Sequence, residues 1–365
     1  MRKLGISIYP EKSTMNEMKN YIESAARVGV SRMFTCLLSM DERKKNDTIK
    51  NLYEIVSFAK KYKFEIIIDI NPKVLGMLGI EFNDLSFFKE LNVDGIRLDY
   101  GFGGNEESLM TFNPENLDIE INMSNDTHYI ETIMDFYPNR YKLRGCHNFY
   151  PHRYSGLSIS HFKSCSHRFK KFGLKTAAFV TSQATNTFGP WPVTEGLPTL
   201  EAHRDLPLLL QIKHLIAMDE VDDIIISNCY PTDEELYSLN ELSLCLTTLN
   251  VVLEKNIPDV ERSILLDELH YNRGDVSGNM IRSTVSRVKY KGHNFSIFNV
   301  PDIIRRGDVI VESSLYGHYA GEMQIALTDM VNSGKSNVVG QISSEELFLL
   351  DEVKPWKKFK LKEAK

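Results

Sequence analysis

The sequence repeats one pattern through its first two-thirds, in which a short apolar run ends on polar residues and is followed by a segment with helical spacing. Runs rich in Ile, Val, Leu and Phe are typical of buried parallel strands joined by crossover helices. Eight such runs occur, at 4–9, 32–39, 64–71, 94–100, 117–124, 142–150, 174–181 and 222–228. Eight strand–helix units predict an α/β fold of the (β/α)8 (TIM) barrel type. An open doubly wound sheet is the main alternative, but no glycine-rich fingerprint follows the first run.

The character of the sequence changes near Pro258. Beyond it, short alternating stretches are separated by glycines and prolines, which is typical of a small β-rich domain. A chain of 365 residues is also too long for one ordinary hydrophobic core. The sequence therefore predicts a barrel domain in residues 1–255 and a β-rich domain in residues 256–365. Within them, helical spacing predicts a helix at 233–249 and another at 321–332.

Composition and charge narrow the classes of function. A formal net charge of −6 gives no electrostatic reason to expect nucleic-acid binding. No stretch approaches the roughly 18 apolar residues of a membrane helix, so no membrane partner is expected. The N-terminus is read as a first strand and not as a signal peptide. The five cysteines are odd in number and form no C-x-x-C pair, which favours free thiols and a cytoplasmic location.

Acidic residues at strand ends are the most informative feature for chemistry. Asp69 and Asp99 each follow an apolar run, and each has a polar neighbour two residues away, Asn71 and Arg97. The carboxyl ends of barrel strands meet at one mouth, and a pair of carboxylates there suits acid/base cleavage of a glycosidic bond. The alternative is structural, with each carboxylate capping a turn or pairing with Arg97.

A third carboxylate, Glu195, lies in the long loop after the seventh run, where three prolines and two glycines interrupt any regular pattern. Long loops at a barrel mouth are often lids or binding loops. Glu195 is therefore predicted as a mobile catalytic acid, with an ordinary exposed loop glutamate as the alternative.

Other polar residues at strand ends predict contacts with a hydroxylated or acetamido ligand. The predicted substrate-binding residues of the barrel are Ser7, Asn71, Arg97, Asn122, His147, Asn148 and Asn228. A single strand-end histidine is also often a satisfied structural residue. The sequence has no H-x-H, H-E-x-x-H or clustered cysteine spacing, so neither a metal nor another cofactor is expected.

The C-terminal segment 270–287 is unusually polar and contains Arg273, Arg282 and Arg287 beside hydroxyl side chains. Arginine forks with nearby hydroxyls match a phosphate group. Arg282 is predicted as part of a phosphate clamp that reaches the substrate from the second domain. An edge strand with solvated charges is an equal alternative.

These residues together resemble a known family. The stretches LGISIYPE, RMFTCLLS, IDINP, RLDYGF, CHNFYP, EGLPTLEAHR, NRGD and MIRST are similar, in this order, to those of the MupG family of bacterial 6-phospho-N-acetylmuramidases. The resemblance covers essentially the whole chain and implies a TIM barrel followed by a cyclophilin-like β-barrel domain. Against the family pattern, GPWPVTEGLP is a longer loop that carries Trp191.

The resemblance implies a cytoplasmic glycoside hydrolase of peptidoglycan recycling and carbohydrate metabolism. Its expected substrate is a phosphorylated amino-sugar disaccharide, 6-phospho-N-acetylmuramic acid linked to N-acetylglucosamine. The catalytic assignments to Asp69, Asp99 and Glu195 come from the barrel argument and not from the family. A non-catalytic sugar-phosphate sensor and a metal-dependent aldolase or isomerase remain alternatives, and a homodimer is left open.

Overall fold

The computed structural model describes residues 2–41, 43 and 45–364. The chain divides into two compact units, residues 2–215 with 219–241 and residues 216–218 with 242–364. The first unit contains a closed barrel of eight parallel strands in sequential order. The second contains a separate sheet of mixed direction. The predicted fold class, a (β/α)8 barrel followed by a β-rich region, is confirmed.

Each apolar run recognised in the sequence supplies one barrel strand. The strands are β1 (Lys3–Ile8), β2 (Arg32–Cys36), β3 (Glu65–Ile70), β4 (Gly95–Leu98), β5 (Asp118–Asn122), β6 (Leu143–Cys146), β7 (Lys175–Val180) and β8 (Asp223–Ile226). The helices that accompany these strands are α1 (Met15–Arg27), α2 (Lys45–Lys61), α3 (Pro72–Leu78), α4 (Ser86–Glu90), α5 (Asn105–Met110), α6 (Tyr129–Asp135), α7 (Ile159–Lys171), α8 (Leu208–Met218) and α9 (Asp233–Ser238). Pairing of β1 with β8 closes the barrel.

Helix α1 illustrates how the local sequence sets these elements. The Thr14 hydroxyl accepts a hydrogen bond from the Glu17 N–H at 3.3 Å, and the Glu17 carboxylate accepts one from the Thr14 N–H at 2.8 Å. This capping box satisfies N–H groups that have no partner inside the helix. The apolar stripe Met18, Tyr21, Ile22 and Ala25 is buried, so the same residues that give the helical period also dock the helix.

The interior of the barrel contains buried ion pairs. Arg32 on β2 is 1% exposed and contacts Glu120 on β5 at 2.5 Å and Asp223 on β8 at 2.7 Å. Strand β2 is adjacent to neither β5 nor β8, so the three side chains must meet inside the barrel. Partners on two other strands thereby neutralise a guanidinium that would be very costly to bury alone.

A second set of charges crosses the interior near the N-terminal ends of the strands. Glu65 on β3 contacts Arg144 on β6 at 2.7 Å and Lys3 on β1 at 3.0 Å. Although burial opposes the effect, hydrogen bonds from Arg144 and Lys3 lower the pKa of Glu65 to about 2. Asp118 on β5 also pairs with Arg144. The floor of the barrel is therefore charged but neutralised in pairs.

The second unit is built around a seven-stranded sheet. Its order is β10 (His270–Tyr271), β17 (Lys358–Glu363), β9 (Thr247–Leu253), β16 (Ser336–Ile342), β13 (Asp308–Glu312), β14 (Met323–Ala326) and β11 (Met280–Ser283). Strands β9 and β17 pair in parallel and the other neighbours are antiparallel. Helices α10 (Asp259–Asp267) and α11 (Val285–Lys289) and a small pair, β12 (Ile303–Ile304) with β15 (Met330–Val331), complete the unit. Its core includes Leu249, Val251, Ile264, Ile281 and Phe359.

Two segments differ from the secondary structure predicted by spacing. The expected helix at 233–249 ends at Ser238, and residues from Thr247 form β9 of the second sheet, so the second unit starts before the boundary expected after residue 255. The expected helix at 321–332 is replaced by β14 and β15. Both segments contain apolar residues whose partners are distant strands, and tertiary pairing overrides short-range periodicity there.

The interior ion pairs predict a large effect of one substitution. Arg32→Met would leave Glu120 and Asp223 buried without their shared cation, and breaking such a pair costs about 3–5 kcal/mol of stability. The matched control Arg27→Met removes an arginine that is 78% exposed and 4.0 Å from Glu23, so its effect should stay within about 0.5 kcal/mol. Urea unfolding followed by the fluorescence of Trp191, in a Trp356→Phe background, reports on the barrel. Equal unfolding midpoints for the two variants would contradict this account of the interior.

Candidate active site

A cavity of about 260 Å³ opens at the C-terminal ends of the barrel strands. Polar side chains occupy part of its wall, and apolar or aromatic side chains occupy the rest. Its lining residues are Phe34, Cys36, Leu38, Asp69, Arg97, Asp99, Asn148, Phe149, Tyr150, Phe179 and Trp191. Two of the three predicted catalytic carboxylates and two of the predicted binding residues therefore face one space.

Arg97 joins the two carboxylates of the cavity. Its Nη1 atom lies 2.6 Å from an Asp69 oxygen and 3.5 Å from an Asp99 oxygen. Asp69 sits within β3 and Arg97 at the paired position of β4, whereas Asp99 directly follows β4. Strand pairing thus fixes Asp69 against the guanidinium, and the end of β4 leaves Asp99 nearer to solvent.

The two carboxylates differ in their surroundings. The Asp69 side chain is 5% exposed and the Asp99 side chain is 34% exposed. Burial, assisted by the negative charge of Asp99 and opposed by Arg97, raises the pKa of Asp69 to about 7. A carboxyl group in this state can donate a proton near neutral pH. The pair therefore combines a proton-donating group with a more exposed carboxylate.

Asn148 extends this polar wall. Its side-chain oxygen accepts a hydrogen bond from Arg97 Nη2, and its backbone N–H donates to the Ser124 hydroxyl at 2.7 Å. Thr199 donates to the Asn148 carbonyl at 2.8 Å. Because its backbone and side-chain oxygen are both fixed, Asn148 presents an amide to the cavity with little freedom, as an orienting residue requires.

Aromatic rings line another part of the cavity. Phe34 on β2 and Phe179 on β7 meet inside the barrel with centroids 5.1 Å apart, and Phe149 packs edge-on against Phe179 at 5.1 Å. Burial raises the pKa of the neighbouring Tyr150, which keeps its phenol protonated. Aromatic faces and a few fixed polar groups are the usual composition of a small-ligand pocket.

Trp191 comes from the long loop after β7. Lys12 holds that loop by donating to the Gly189 carbonyl at 2.8 Å and to the Trp191 carbonyl at 3.1 Å. Further along the loop, Arg204 donates to the carbonyls of Glu195 and Gly196 at 3.0 and 3.1 Å. The loop is therefore anchored at both sides of the indole, and it contributes one ring to the cavity.

His147 is placed differently from the sequence prediction. It is fully buried, and its ring nitrogens lie 3.3 Å from the Ser124 hydroxyl and 2.9 Å from the Ser166 hydroxyl. Burial lowers the pKa of His147 to about 3, so the ring is neutral at physiological pH. The imidazole braces the loop behind the cavity and does not line it.

Several other predicted binding residues also lie outside the cavity lining. Asn71 caps α3 by accepting from the Val74 N–H at 2.9 Å. Asn122 donates to the Asp99 carbonyl at 3.0 Å, and Asn228 exchanges two hydrogen bonds with the Ser182 backbone. Ser7 is buried in β1. None of these four residues is part of the cavity lining, and the amides of the three asparagines bond backbone groups at strand and helix ends instead.

Glu195 is not brought to the cavity either. Its side chain is exposed and accepts a hydrogen bond from the Arg153 N–H at 2.9 Å. This contact ties the loop after β6 to the loop after β7. The structure places Glu195 in a contact between two loops and outside the cavity lining, and its role as a mobile catalytic acid stays a prediction.

Arg282 lies on β11 of the second unit. Its guanidinium contacts Glu322, a fully buried carboxylate, at 2.8 Å, and Arg287 contacts the other oxygen of Glu322 at 3.0 Å. Arg282 thus has a carboxylate partner within its own unit, which the proposed clamp role did not anticipate.

The structure adds two observations on other classes of function. Within residues 2–41, 43 and 45–364, no three His, Cys, Asp or Glu side chains are placed to hold a metal ion. None of the helices in the described part of the chain is both long enough and apolar enough to cross a bilayer.

Most of the aromatic residues that line the cavity were not predicted from the sequence. Phe34 lies two residues before the strand-end Cys36, and Phe149 and Tyr150 directly follow the predicted Asn148. The period-two alternation of a strand places Phe34 on the same inward side as Cys36. Large aromatic residues at inward strand positions are a sequence signal for Phe34 and Phe179, whereas Phe149 and Tyr150 lie in the loop after β6 and carry no such signal.

Comparisons with known proteins agree over the whole chain. The family profile described as "6-phospho-N-acetylmuramidase, N-terminal" matches residues 4–241, and that described as "6-phospho-N-acetylmuramidase, C-terminal" matches residues 247–362. The crystal structure of an uncharacterized B. cereus protein is 45% identical, with 99% of each chain covered and a TM-score of 0.90. A conserved Enterococcus faecalis protein of unknown function is 24% identical over 99% of this chain and 96% of its own, with a TM-score of 0.69, and shares the fold. No curated protein matches significantly.

The environment of Asp69 predicts a measurable titration. Asp99→Asn removes a negative charge that raises the pKa of Asp69, so the Asp69 midpoint should fall below its value near 7. Infrared difference spectroscopy of the protonated carboxyl stretch, with Asp69→Asn to assign the band, measures this midpoint. Asp205→Asn, which alters a carboxylate paired with Arg153 outside the cavity, is the control. A midpoint that stays the same or rises in Asp99→Asn would contradict the assigned coupling.

Proposed function

Because this chain belongs to the 6-phospho-N-acetylmuramidase family through both of its units, we propose that it hydrolyses the glycosidic bond between 6-phospho-N-acetylmuramic acid and N-acetylglucosamine. The reaction would serve the recycling of peptidoglycan sugars. The family resemblance implies a substrate that is phosphorylated during import, and on that basis we propose the cytoplasm as the location.

The observation that carries this proposal is the pair of unlike carboxyl groups in the cavity. Asp69 is buried with a pKa near 7, and Asp99 is partly exposed beside it. Glycoside hydrolases generally need one carboxyl group that donates a proton to the leaving oxygen and one that is ionised. We assign Asp69 as the proton donor and Asp99 as the ionised partner.

The surrounding residues suit a sugar in this position. Phe149, Tyr150 and Trp191 supply faces against which the apolar side of a sugar ring can pack. Asn148 is fixed by its backbone contacts and offers an amide to a hydroxyl or acetamido group. Arg97 holds both carboxylates in place, and in doing so it orients the two reacting groups.

The spacing of the carboxylates supports one stereochemical course. Because both oxygens contact the same Arg97 Nη1 atom at 2.6 and 3.5 Å, they lie no farther apart than these two contacts placed end to end. That limit is below the roughly 6.5 Å at which the carboxylate separations of inverting enzymes begin. Asp99 would then act as a nucleophile, since little room remains for a water molecule between it and the sugar.

The proposed activity is tested by direct hydrolysis. The wild-type chain should cleave the 6-phosphorylated disaccharide and leave the unphosphorylated disaccharide intact. Asp69→Asn and Asp99→Asn should each lower kcat by about 10²–10⁴-fold, since each removes a group required in the transition state. Glu195→Gln should remain near the wild-type rate because its carboxylate accepts from the Arg153 N–H and is not part of the cavity lining.

Two outcomes would redirect the proposal. Tight binding without turnover, unaffected by Asp69→Asn, would support the sensor alternative. Activity abolished by a chelator would support metal-dependent chemistry on the same barrel.

Retention of anomeric configuration is the separate prediction from the carboxylate spacing. Proton NMR of the first sugar released, recorded before mutarotation, distinguishes the two anomers. Release of the sugar with inverted configuration would assign Asp99 as a general base and contradict the nucleophile role, while leaving the hydrolase itself intact.

A further inference from the structure

The second unit contains a cleft that the proposed hydrolysis does not use. It has a volume of about 470 Å³ and is lined by Tyr271, Arg273, Gly274, Asp275, Thr284, Arg287 and Trp356. All seven residues belong to the second unit. We propose that this cleft is a separate binding site for a sugar phosphate, in which Trp356 receives the sugar ring and the arginines receive the phosphate.

Trp356 forms an exposed aromatic platform. The side chain is 60% exposed and stacks on Tyr271, with ring centroids 5.7 Å apart and planes inclined by 28°. A Cβ atom at Gly274 would lie only 2.6 Å from the indole nitrogen. Glycine at this position therefore lets the chain approach the indole closely, while most of the Trp356 surface stays exposed.

The backbone holds this indole in a costly conformation. Trp356 has a φ of 62°, in the left-handed region that large side chains rarely adopt. The backbone N–H of Trp356 donates to the Asn272 carbonyl at 2.8 Å, and the buried Asn272 side chain donates to the Val353 carbonyl at 2.9 Å. Strained residues that are held firmly by their surroundings cluster at ligand sites. An exposed tryptophan that is held in a strained backbone conformation is therefore a candidate binding surface.

The charges beside the platform favour an anion. Arg282 and Arg287 share one carboxylate, Glu322, and both guanidinium groups lie over the Tyr319 ring at 5.7 and 5.5 Å. Arg273 is paired with Asp275 at 2.6 Å. These three guanidinium groups therefore face two carboxylates, which leaves one positive charge in excess.

A third carboxyl group acts on the same cluster without cancelling that excess. Burial raises the pKa of Glu312, which interacts with Arg282 and Glu322, to about 7. Its carboxyl group is therefore partly protonated at neutral pH, and an approaching anion still meets a net positive charge.

The combination of these features selects a class of ligand. Planar guanidinium groups bind phosphate oxygens through paired hydrogen bonds, and an indole face packs against the C–H side of a sugar ring. The Thr284 hydroxyl, 3.0 Å from the Tyr271 hydroxyl, adds a polar group for a sugar hydroxyl. Inorganic phosphate alone would leave the platform unused, and a neutral sugar would leave the charge unused. The cleft volume lies within the roughly 300–1,000 Å³ of small-ligand sites.

The two tryptophans of the chain make the test specific, because Trp191 lines the barrel cavity and Trp356 lies in the cleft. In the full-length Trp191→Phe variant, fluorescence reports on Trp356 alone. Titration with N-acetylglucosamine 6-phosphate should give a saturable change that weakens with added salt. N-acetylglucosamine and inorganic phosphate should each bind at least about tenfold more weakly, since the first lacks the phosphate group and the second lacks the sugar ring.

Variants in the same background separate the cleft from general charge. Arg287→Gln and Arg273→Gln should each weaken binding about tenfold. Arg273→Gln stays informative if Arg287→Gln fails to fold, because Arg273 pairs with an exposed carboxylate and not with a buried one. Arg262→Gln, which alters an exposed pair with Glu363 outside the cleft, should bind like its parent. The proposal is overturned if no saturable change occurs, if adenosine monophosphate binds while the sugar phosphate does not, or if Arg262→Gln weakens binding equally.

Discussion

The barrel depends on guanidinium groups that are buried among carboxylates. Arg32 bridges β5 and β8, Arg144 bridges β3 and β5, and Arg97 joins Asp69 to Asp99 at the mouth. Because an unpaired charge is too costly to bury, each arginine determines where its acidic partners lie. Arg32 and Arg144 lie inside the barrel, where they are paired with carboxylates and stabilise the fold. Arg97 repeats the same arrangement beside the cavity at the C-terminal ends of the strands, where the ion pair faces the candidate site.

Two residues that look equivalent in the sequence have different surroundings in the structure. Asp69 and Asp99 both end apolar runs, and neither run indicates which carboxyl group is protonated. Asp69 belongs to β3 and is enclosed, whereas Asp99 follows the last residue of β4 and keeps a third of its surface. Asp99 lies two positions beyond the residue that pairs with Asp69 and is more exposed, whereas burial raises the pKa of Asp69. Proton donor and ionised partner are assigned on that basis.

The fold and the meeting of the two candidate carboxylates were predictable because both follow from short-range patterns and the geometry of a barrel. Apolar runs located all eight barrel strands, and the geometry of a barrel brought Asp69, Asp99, Arg97 and Asn148 to one cavity. The errors occurred where long-range contacts decide. Residues from Thr247 pair with β16 and β17, and helical spacing does not reveal such partners. His147, Asn71 and Asn228 carry the right atoms for binding a sugar, but neighbouring hydroxyl and backbone groups take those atoms first.

A comparison of two substrates with different leaving groups separates the roles of the two carboxyl groups most directly. A 4-nitrophenyl glycoside of 6-phospho-N-acetylmuramic acid needs little protonation of its leaving oxygen, whereas the natural disaccharide needs it fully. The first turnover of both substrates should be followed for Asp69→Asn and Asp99→Asn. The account predicts that Asp69→Asn releases nitrophenolate at close to the wild-type rate while failing on the disaccharide, and that Asp99→Asn fails on both. Equal losses for Asp69→Asn on the two substrates, or nitrophenolate release that survives only in Asp99→Asn, would contradict the assignment of Asp69 as the proton donor.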